Sequence, residues 1–181
     1  IQASTLQVDL SAVYELKLCN KSITAMRALQ TCPKLRLLDL SCNRITRIEG
    51  LSASSDLREL YLHCNRISTL DGCGTLLATC KDLSKLWLHM NSIGPRISPG
   101  WFPQPFRSIK HLRLDNNLIE GGLDQLWKCC GSSLITLDLS SNPFPAGEIS
   151  KSLVVSAPIQ MSKLQELRMA RTSINDLDLA S

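Results

Sequence analysis

LRLLDLSCNRI at residues 35–45 and LRELYLHCNRI at residues 57–67 share the pattern L-x-x-L-x-L-x-x-N-x-I, which decides the fold. Copies of it start at Val13, Leu35, Leu57, Leu83, Ile109, Leu134 and Leu164. The first and last copies are the weakest, and the starts are 22, 22, 26, 26, 25 and 30 residues apart. Chance does not align seven copies of a motif with six fixed positions, so the chain is a repeat protein.

Each copy predicts a short strand with one buried face. Counting from the start of a copy, apolar residues fill positions four and six, whereas positions three, five and seven are mostly polar. This alternation matches the two-residue period of a strand. Asn fills position nine in five copies and is replaced by Lys21 in the first and Thr172 in the last. Terminal repeats of a solenoid are often atypical because one side lacks a neighbouring repeat.

The pattern resembles that of leucine-rich-repeat proteins. The two 22-residue copies are similar to the short class named for the protein-phosphatase-1 regulator, and to axonemal dynein leucine-rich light chain and spliceosomal A-prime protein. The longer copies look more like the intracellular repeats of ribonuclease inhibitor. The resemblance implies an α/β right-handed solenoid of about seven repeats, with a parallel concave β-sheet and a 3₁₀/α convex side. It also implies that Asn at position nine bonds backbone groups of neighbouring turns, and that the protein binds other proteins without catalysis.

The convex side is expected to change along the chain. In the early copies one inward residue recurs every third place, as in Ile45, Ile48 and Leu51, which suits 3₁₀ turns. The later copies have room for α-helical turns, which we expect at 75–81, 123–130 and 150–156. The insert at residues 94–106 holds four Pro together with three aromatic residues: Trp101, Phe102 and Phe106. These aromatics are expected to plug the convex core; the alternative is a second docking loop.

We expect a single domain over residues 1–181, with an N-terminal flank at 1–12, seven repeats at 13–174 and a C-terminal flank at 175–181. Neither end resembles a natural terminus, so we expect the domain to be part of a longer protein. The net charge is +4, and no apolar run approaches the roughly 18 residues that a membrane span requires. The composition therefore favours a monomeric domain that does not enter membranes.

The eight Cys are scattered through the repeats, and no two are spaced C-x-x-C. Secreted proteins of the resembled kind usually close both ends with disulfide-bonded Cys clusters, so free thiols in a reducing compartment are favoured. We expect an intracellular, cytoplasmic protein; the alternatives within the cell are a cytoskeletal, axonemal or nuclear location. The alternative is an extracellular recognition domain, such as a receptor ectodomain fragment, which predicts disulfides. A lone N-x-S/T sequence, at Asn20, weakly favours the intracellular hypothesis.

The polar strand positions predict three columns of side chains across the sheet, because neighbouring strands lie roughly 4.8 Å apart. Position three gives Glu15, Leu37, Glu59, Lys85, His111, Thr136 and Glu166. Position five gives Lys17, Asp39, Tyr61, Trp87, Arg113, Asp138 and Arg168. Position seven gives Cys19, Ser41, His63, His89, Asp115, Ser140 and Ala170.

The middle of these columns is the candidate partner-binding site. This central patch consists of Asp39, Glu59, Tyr61, His63, Lys85, Trp87, His89, His111 and Arg113. Tyr, Trp and Arg are the residues that most often anchor interfaces, and an aromatic pair on a polar strand face has little structural reason to be there. The alternative interpretation is a cross-strand pair that only stiffens the sheet. We expect another protein as the partner, and a scaffold or adaptor role.

Other chemistries are weakly supported. His63 and His89 could share a zinc ion, but Asp115, the nearest further ligand type, is one strand away. Ser41, His63 and Asp39 could be drawn as a catalytic triad, but no pattern buries or orients them. The segment 71–74 is a turn without the strand-then-helix glycine pattern of a phosphate loop. We therefore expect no enzyme activity, no cofactor and no metal.

Nucleic-acid binding is a lesser hypothesis. It would use Lys17, Lys85, His111, Arg113 and Arg168. Three acidic residues interrupt this basic set: Asp39, Asp115 and Asp138. Because nucleic-acid binding depends on a continuous basic surface, a protein partner is favoured.

Overall fold

A computed structural model of the protein describes residues 9–26, 29, 31–101, 105–152 and 161–172. Seven three-residue strands form one parallel sheet in chain order. They are β1 (Glu15–Lys17), β2 (Leu37–Asp39), β3 (Glu59–Tyr61), β4 (Lys85–Trp87), β5 (His111–Arg113), β6 (Thr136–Asp138) and β7 (Glu166–Arg168). Every strand covers positions three to five of its copy and pairs in register with the next, so the seven predicted strands and the columns of positions three and five are confirmed.

The core lies directly beneath the sheet. In β2 to β6 the central Leu is buried, while the residues on either side of it are half-buried. In β1 and β7 the central Leu is only half-buried and its neighbours are exposed, because these two strands end the sheet. The stacked apolar positions form one continuous core along the solenoid.

The position-nine Asn side chains connect neighbouring repeats, as expected. Asn117 Nδ2 donates to the carbonyl oxygens of Leu88 and Leu114 at 3.0 and 2.9 Å. Its Oδ1 accepts from the backbone amide of Ile93 at 3.0 Å. The same arrangement recurs at Asn43, Asn65, Asn91 and Asn142. Each Asn therefore supplies partners for backbone groups that the end of the strand leaves unpaired.

The residue before each of these turns adopts a left-handed backbone. Position eight has φ of 54–55° in all seven copies: Asn20, Cys42, Cys64, Met90, Asn116, Ser141 and Arg171. Side chains other than Gly rarely adopt this conformation, and Asn tolerates it best. The repeat geometry imposes it here on cysteine and methionine as well.

The convex side differs in part from the sequence expectation. Helix α1 spans Cys73–Thr79, beginning two residues before the predicted stretch, and α2 spans Leu123–Cys130 as predicted. A third helical stretch covers 148–152, whereas 153–156 lie outside the described residues. The expectation of 3₁₀ turns is wrong for 44–56, which has turns and bends only. In residues 44–56 isolated turns already place every third side chain in the core, so burying these side chains does not require a helix.

The Pro-rich insert plugs the convex core where it is described. A 3₁₀ turn at Pro99–Trp101 buries Trp101, and Phe106 is buried after it. Phe102, Ile174 and the flank at 175–181 lie outside the described residues, as does most of the flank at 1–12. Within the described ranges no helix is both long and apolar enough to cross a bilayer.

Candidate functional site

The centre of the polar face is a row of three side chains contributed by β3, β4 and β5. Tyr61 lies opposite Trp87, and Trp87 lies opposite Arg113, in the register of the sheet. The Tyr61 and Trp87 ring centroids are 4.6 Å apart with the rings tilted by 55°. The Arg113 guanidinium carbon lies 5.7 Å from the Trp87 ring centroid, within the range of a cation–π contact. All three side chains are half-buried, so each keeps an exposed edge.

Hydrogen bonds and ion pairs hold this row in place. The Tyr61 hydroxyl donates to Glu59, and Lys85 Nζ lies 3.0 Å from the other oxygen of the same carboxylate. The hydrogen bond from Tyr61, with that from Lys85, holds the pKa of Glu59 below its usual range, whereas burial and Glu59 raise the pKa of Tyr61. Arg113 makes two hydrogen bonds to Asp115, each 3.0 Å long. Side chains held in this way lose little conformational freedom when a partner binds.

The two histidines of position seven stack beside the aromatic row. The His63 and His89 ring centroids are 4.4 Å apart and their planes differ by 6°. Each lies 6.0 Å from the Trp87 ring, edge to face. Burial lowers the pKa of both, with a further contribution from the Arg113 charge, and brings the pKa of His89 to about 4. Both rings are therefore neutral at pH 7.

Position seven is more buried than the sequence suggests. Ser41, His89 and Asp115 are only 3%, 8% and 4% exposed. His89 is covered because it lies among His63, Trp87 and the Arg113–Asp115 pair. Asp39 accepts hydrogen bonds from the Ser41 backbone amide and hydroxyl at 2.9 and 2.6 Å. Of the predicted site residues, His89 is therefore buried beside the central patch, whereas Asp39 is half-buried next to Tyr61 in the register of the sheet.

A depression of about 220 Å³ extends the central patch toward β7. Trp87, Lys85 and Arg113 form one side of it, and His111 within it is bonded to Thr136 at 2.9 Å. Four further polar residues that line it were not among the predicted site residues: Thr136, Asp138, Glu166 and Arg168. These four residues occupy positions three and five of their copies, so the sequence places them on the polar face. The sequence does not show where the surface of the sheet is recessed.

Comparison with known proteins supports the fold. A family model described as leucine rich repeat matches residues 11–67, and the curated proteins contain no match. A leucine-rich-repeat protein of Leptospira interrogans superposes with a TM-score of 0.69 at 23% identity, over 90% of this chain and 38% of that one. The fold is a leucine-rich-repeat solenoid.

Two internalins of Listeria monocytogenes show the same likeness. One superposes with a TM-score of 0.60 at 16% identity over 93% of this solenoid and 51% of its own chain. Internalin C2 gives a TM-score of 0.62 at 23% identity, over 93% and 76% of the two chains. This chain thus spans about 38% of the Leptospira protein and about 51% of the first internalin.

The other candidate chemistries involve Ser41, His63, Asp39 and the basic side chains of the polar face. The Ser41 hydroxyl donates to Asp39 rather than to His63, so the three side chains do not form a catalytic triad. Among the described residues no group of three or more His, Cys, Asp or Glu converges as a metal site. The basic side chains of the polar face are paired with carboxylates: Lys17–Glu15, Lys85–Glu59, Arg113–Asp115 and Arg168–Glu166. This pairing reduces the positive charge that a nucleic acid would require.

Proposed function

We propose that this solenoid is a non-catalytic protein-interaction module that binds an intracellular partner protein through the central patch, in a scaffold or adaptor role. The observation that carries the proposal is the Tyr61–Trp87 contact on the polar face, with Arg113 over the Trp87 ring. These three residue types dominate the energetics of protein interfaces. Strands of a repeat solenoid present such side chains on one continuous surface.

Partial exposure of the aromatic row supports binding over simple stiffening of the sheet. Tyr61 and Trp87 are half-buried, whereas the large side chains that serve the core, such as Trp127 and Phe144, are nearly fully buried. The depression beside Trp87 adds a recess of about 220 Å³ into which an anchoring side chain of a partner could insert. A rigid aromatic wall next to a recess is the arrangement expected at the centre of an interface.

The intracellular part of the proposal rests on cysteine usage. All eight Cys are free thiols in this structure, and five of them pack inside the core. Buried free Cys behave as small apolar residues and suit a reducing compartment. Counting free thiols in unreduced, denatured protein tests this part alone. A value near eight supports it, and a value near zero favours an extracellular recognition domain.

Affinity capture with matched variants tests the binding surface. The Tyr61→Ala/Trp87→Ala double variant should lose the partner that the wild-type solenoid captures from a native lysate. Tyr14→Ala is the control, because Tyr14 is also an exposed tyrosine near an arginine, Arg36, but lies outside the three columns. Circular dichroism verifies that each variant is folded. Equal capture by the wild type and the double variant would refute the assignment.

A further inference from the structure

Three of the eight cysteines lie outside the core, and they lie together. Cys19 and Cys42 are exposed and Cys64 is half-buried. The other five are buried: Cys32, Cys73, Cys80, Cys129 and Cys130. Cys42 and Cys64 occupy position eight of adjacent repeats, and Cys19 occupies position seven of the repeat before them. The thiols outside the core therefore belong to three successive repeats.

The backbone of the repeats aligns these side chains. The Cys42 amide donates to the His63 carbonyl at 3.0 Å, and the Cys64 amide donates to the His89 carbonyl at 3.1 Å. Cys42 and Cys64 thus occupy equivalent places in adjacent repeats, with the same φ of 54°. Met90 is the next residue in the series, and its Sδ lies 3.5 Å from Cys64 Sγ. We call these three residues, Cys42, Cys64 and Met90, the sulfur row.

We propose that Cys42 and Cys64 form a two-thiolate binding site for monovalent copper, Cu(I), beside the Met90 thioether. Thiolate and thioether sulfur are soft ligands, which suit Cu(I), Zn²⁺ and iron–sulfur clusters rather than harder metal ions. Zn²⁺ does not fit, because it takes four ligands as a rule and no group of three or more His, Cys, Asp or Glu converges among the described residues. Cu(I) accepts fewer and softer ligands, which is what the sulfur row supplies.

Copper binding exchanges protons and needs no electron transfer. Each cysteine gives up its thiol proton to solvent as its sulfur coordinates the Cu(I) ion, so two protons leave for one metal ion bound.

An anaerobic titration tests the site. The reduced protein is titrated with Cu(I) in competition with a chromogenic Cu(I) chelator, and the thiolate-to-metal charge-transfer absorbance is followed. Wild type should take one Cu(I) from the chelator. Cys42→Ser and Cys64→Ser should each weaken binding by more than about a hundredfold, because losing even an outer partner of a metal ligand costs 10–100-fold. Ser is compatible with this backbone, because Ser141 occupies position eight with φ of 54°.

Two controls make the assignment specific. Cys19→Ser should retain the wild-type stoichiometry, and Met90→Leu should weaken Cu(I) binding less than either cysteine variant does. Loss of binding in Cys19→Ser with retention in Cys64→Ser would overturn the proposed ligand pair. Zn²⁺ binding as tight as that of Cu(I), or failure of the wild type to compete with the chelator while it forms a Cys42–Cys64 disulfide in air, would overturn the proposal itself.

Discussion

Replacing Asn117 with Ala tests how the repeats are joined. Asn117 is 4% exposed, and its side chain bonds two buried backbone groups of the preceding repeat, the Ile93 amide and the Leu88 carbonyl. Asn117→Ala leaves the Ile93 amide without its partner, whereas the Leu88 carbonyl still accepts from Asn91 Nδ2 at 3.0 Å. An unsatisfied buried backbone group costs about 1–3 kcal/mol, so the free energy of unfolding should fall by about 1–3 kcal/mol.

Urea denaturation followed by circular dichroism measures this change. Thr172→Ala is the matched control, because Thr172 fills the same position in the last repeat and makes one hydrogen bond, 2.7 Å, to the Met169 carbonyl. Its loss should lower the free energy of unfolding by no more than about 1 kcal/mol. If Asn117→Ala destabilises the protein no more than Thr172→Ala does, the position-nine Asn does not join neighbouring repeats as described.

Three further changes probe the support of the site and the core. The pKa of His89 is about 4 in the folded protein and about 6.5 in the unfolded chain. The free energy of unfolding should therefore fall by about 3 kcal/mol as pH drops from 6.5 to 4, and His89→Phe should flatten that profile in urea titrations. Gly72→Ala should lower the thermal midpoint, because a Cβ there would lie 1.8 Å from the Ile48 carbonyl oxygen. Trp127→Phe should lower the free energy of unfolding by about 1–3 kcal/mol, because it removes the hydrogen bond from the indole nitrogen to the Ser152 hydroxyl, 2.5 Å away. For each of the three variants, an unchanged denaturation midpoint or profile would contradict the contact described.

The sheet was predictable from the sequence because its information is local and repeated. Leu38 and Leu60 define the buried face of their strands, and a shift of one residue would reverse that face, so the register follows from the motif. The contact between Tyr61 and Trp87 then follows from the register alone. The same reasoning located α2, since its copy has room for a helix before the next strand.

Other features depend on how side chains of different repeats pack, and the motif does not encode them. The burial of His89 results from its stack on His63 and from the nearby Arg113–Asp115 pair. The depression that reaches Arg168 depends on which neighbouring side chains are long and which are short. The alignment of Cys42, Cys64 and Met90 results from the left-handed backbone that position eight adopts in every copy.

Site-specific photo-crosslinking tests the central claim most directly. A photoreactive phenylalanine analogue replaces Lys85, in the central patch beside the depression, and separately replaces Lys128, an exposed residue of α2 on the convex side. The protein-interaction proposal predicts that the captured partner is crosslinked from position 85 and not from position 128. Crosslinking from position 128 alone would contradict it.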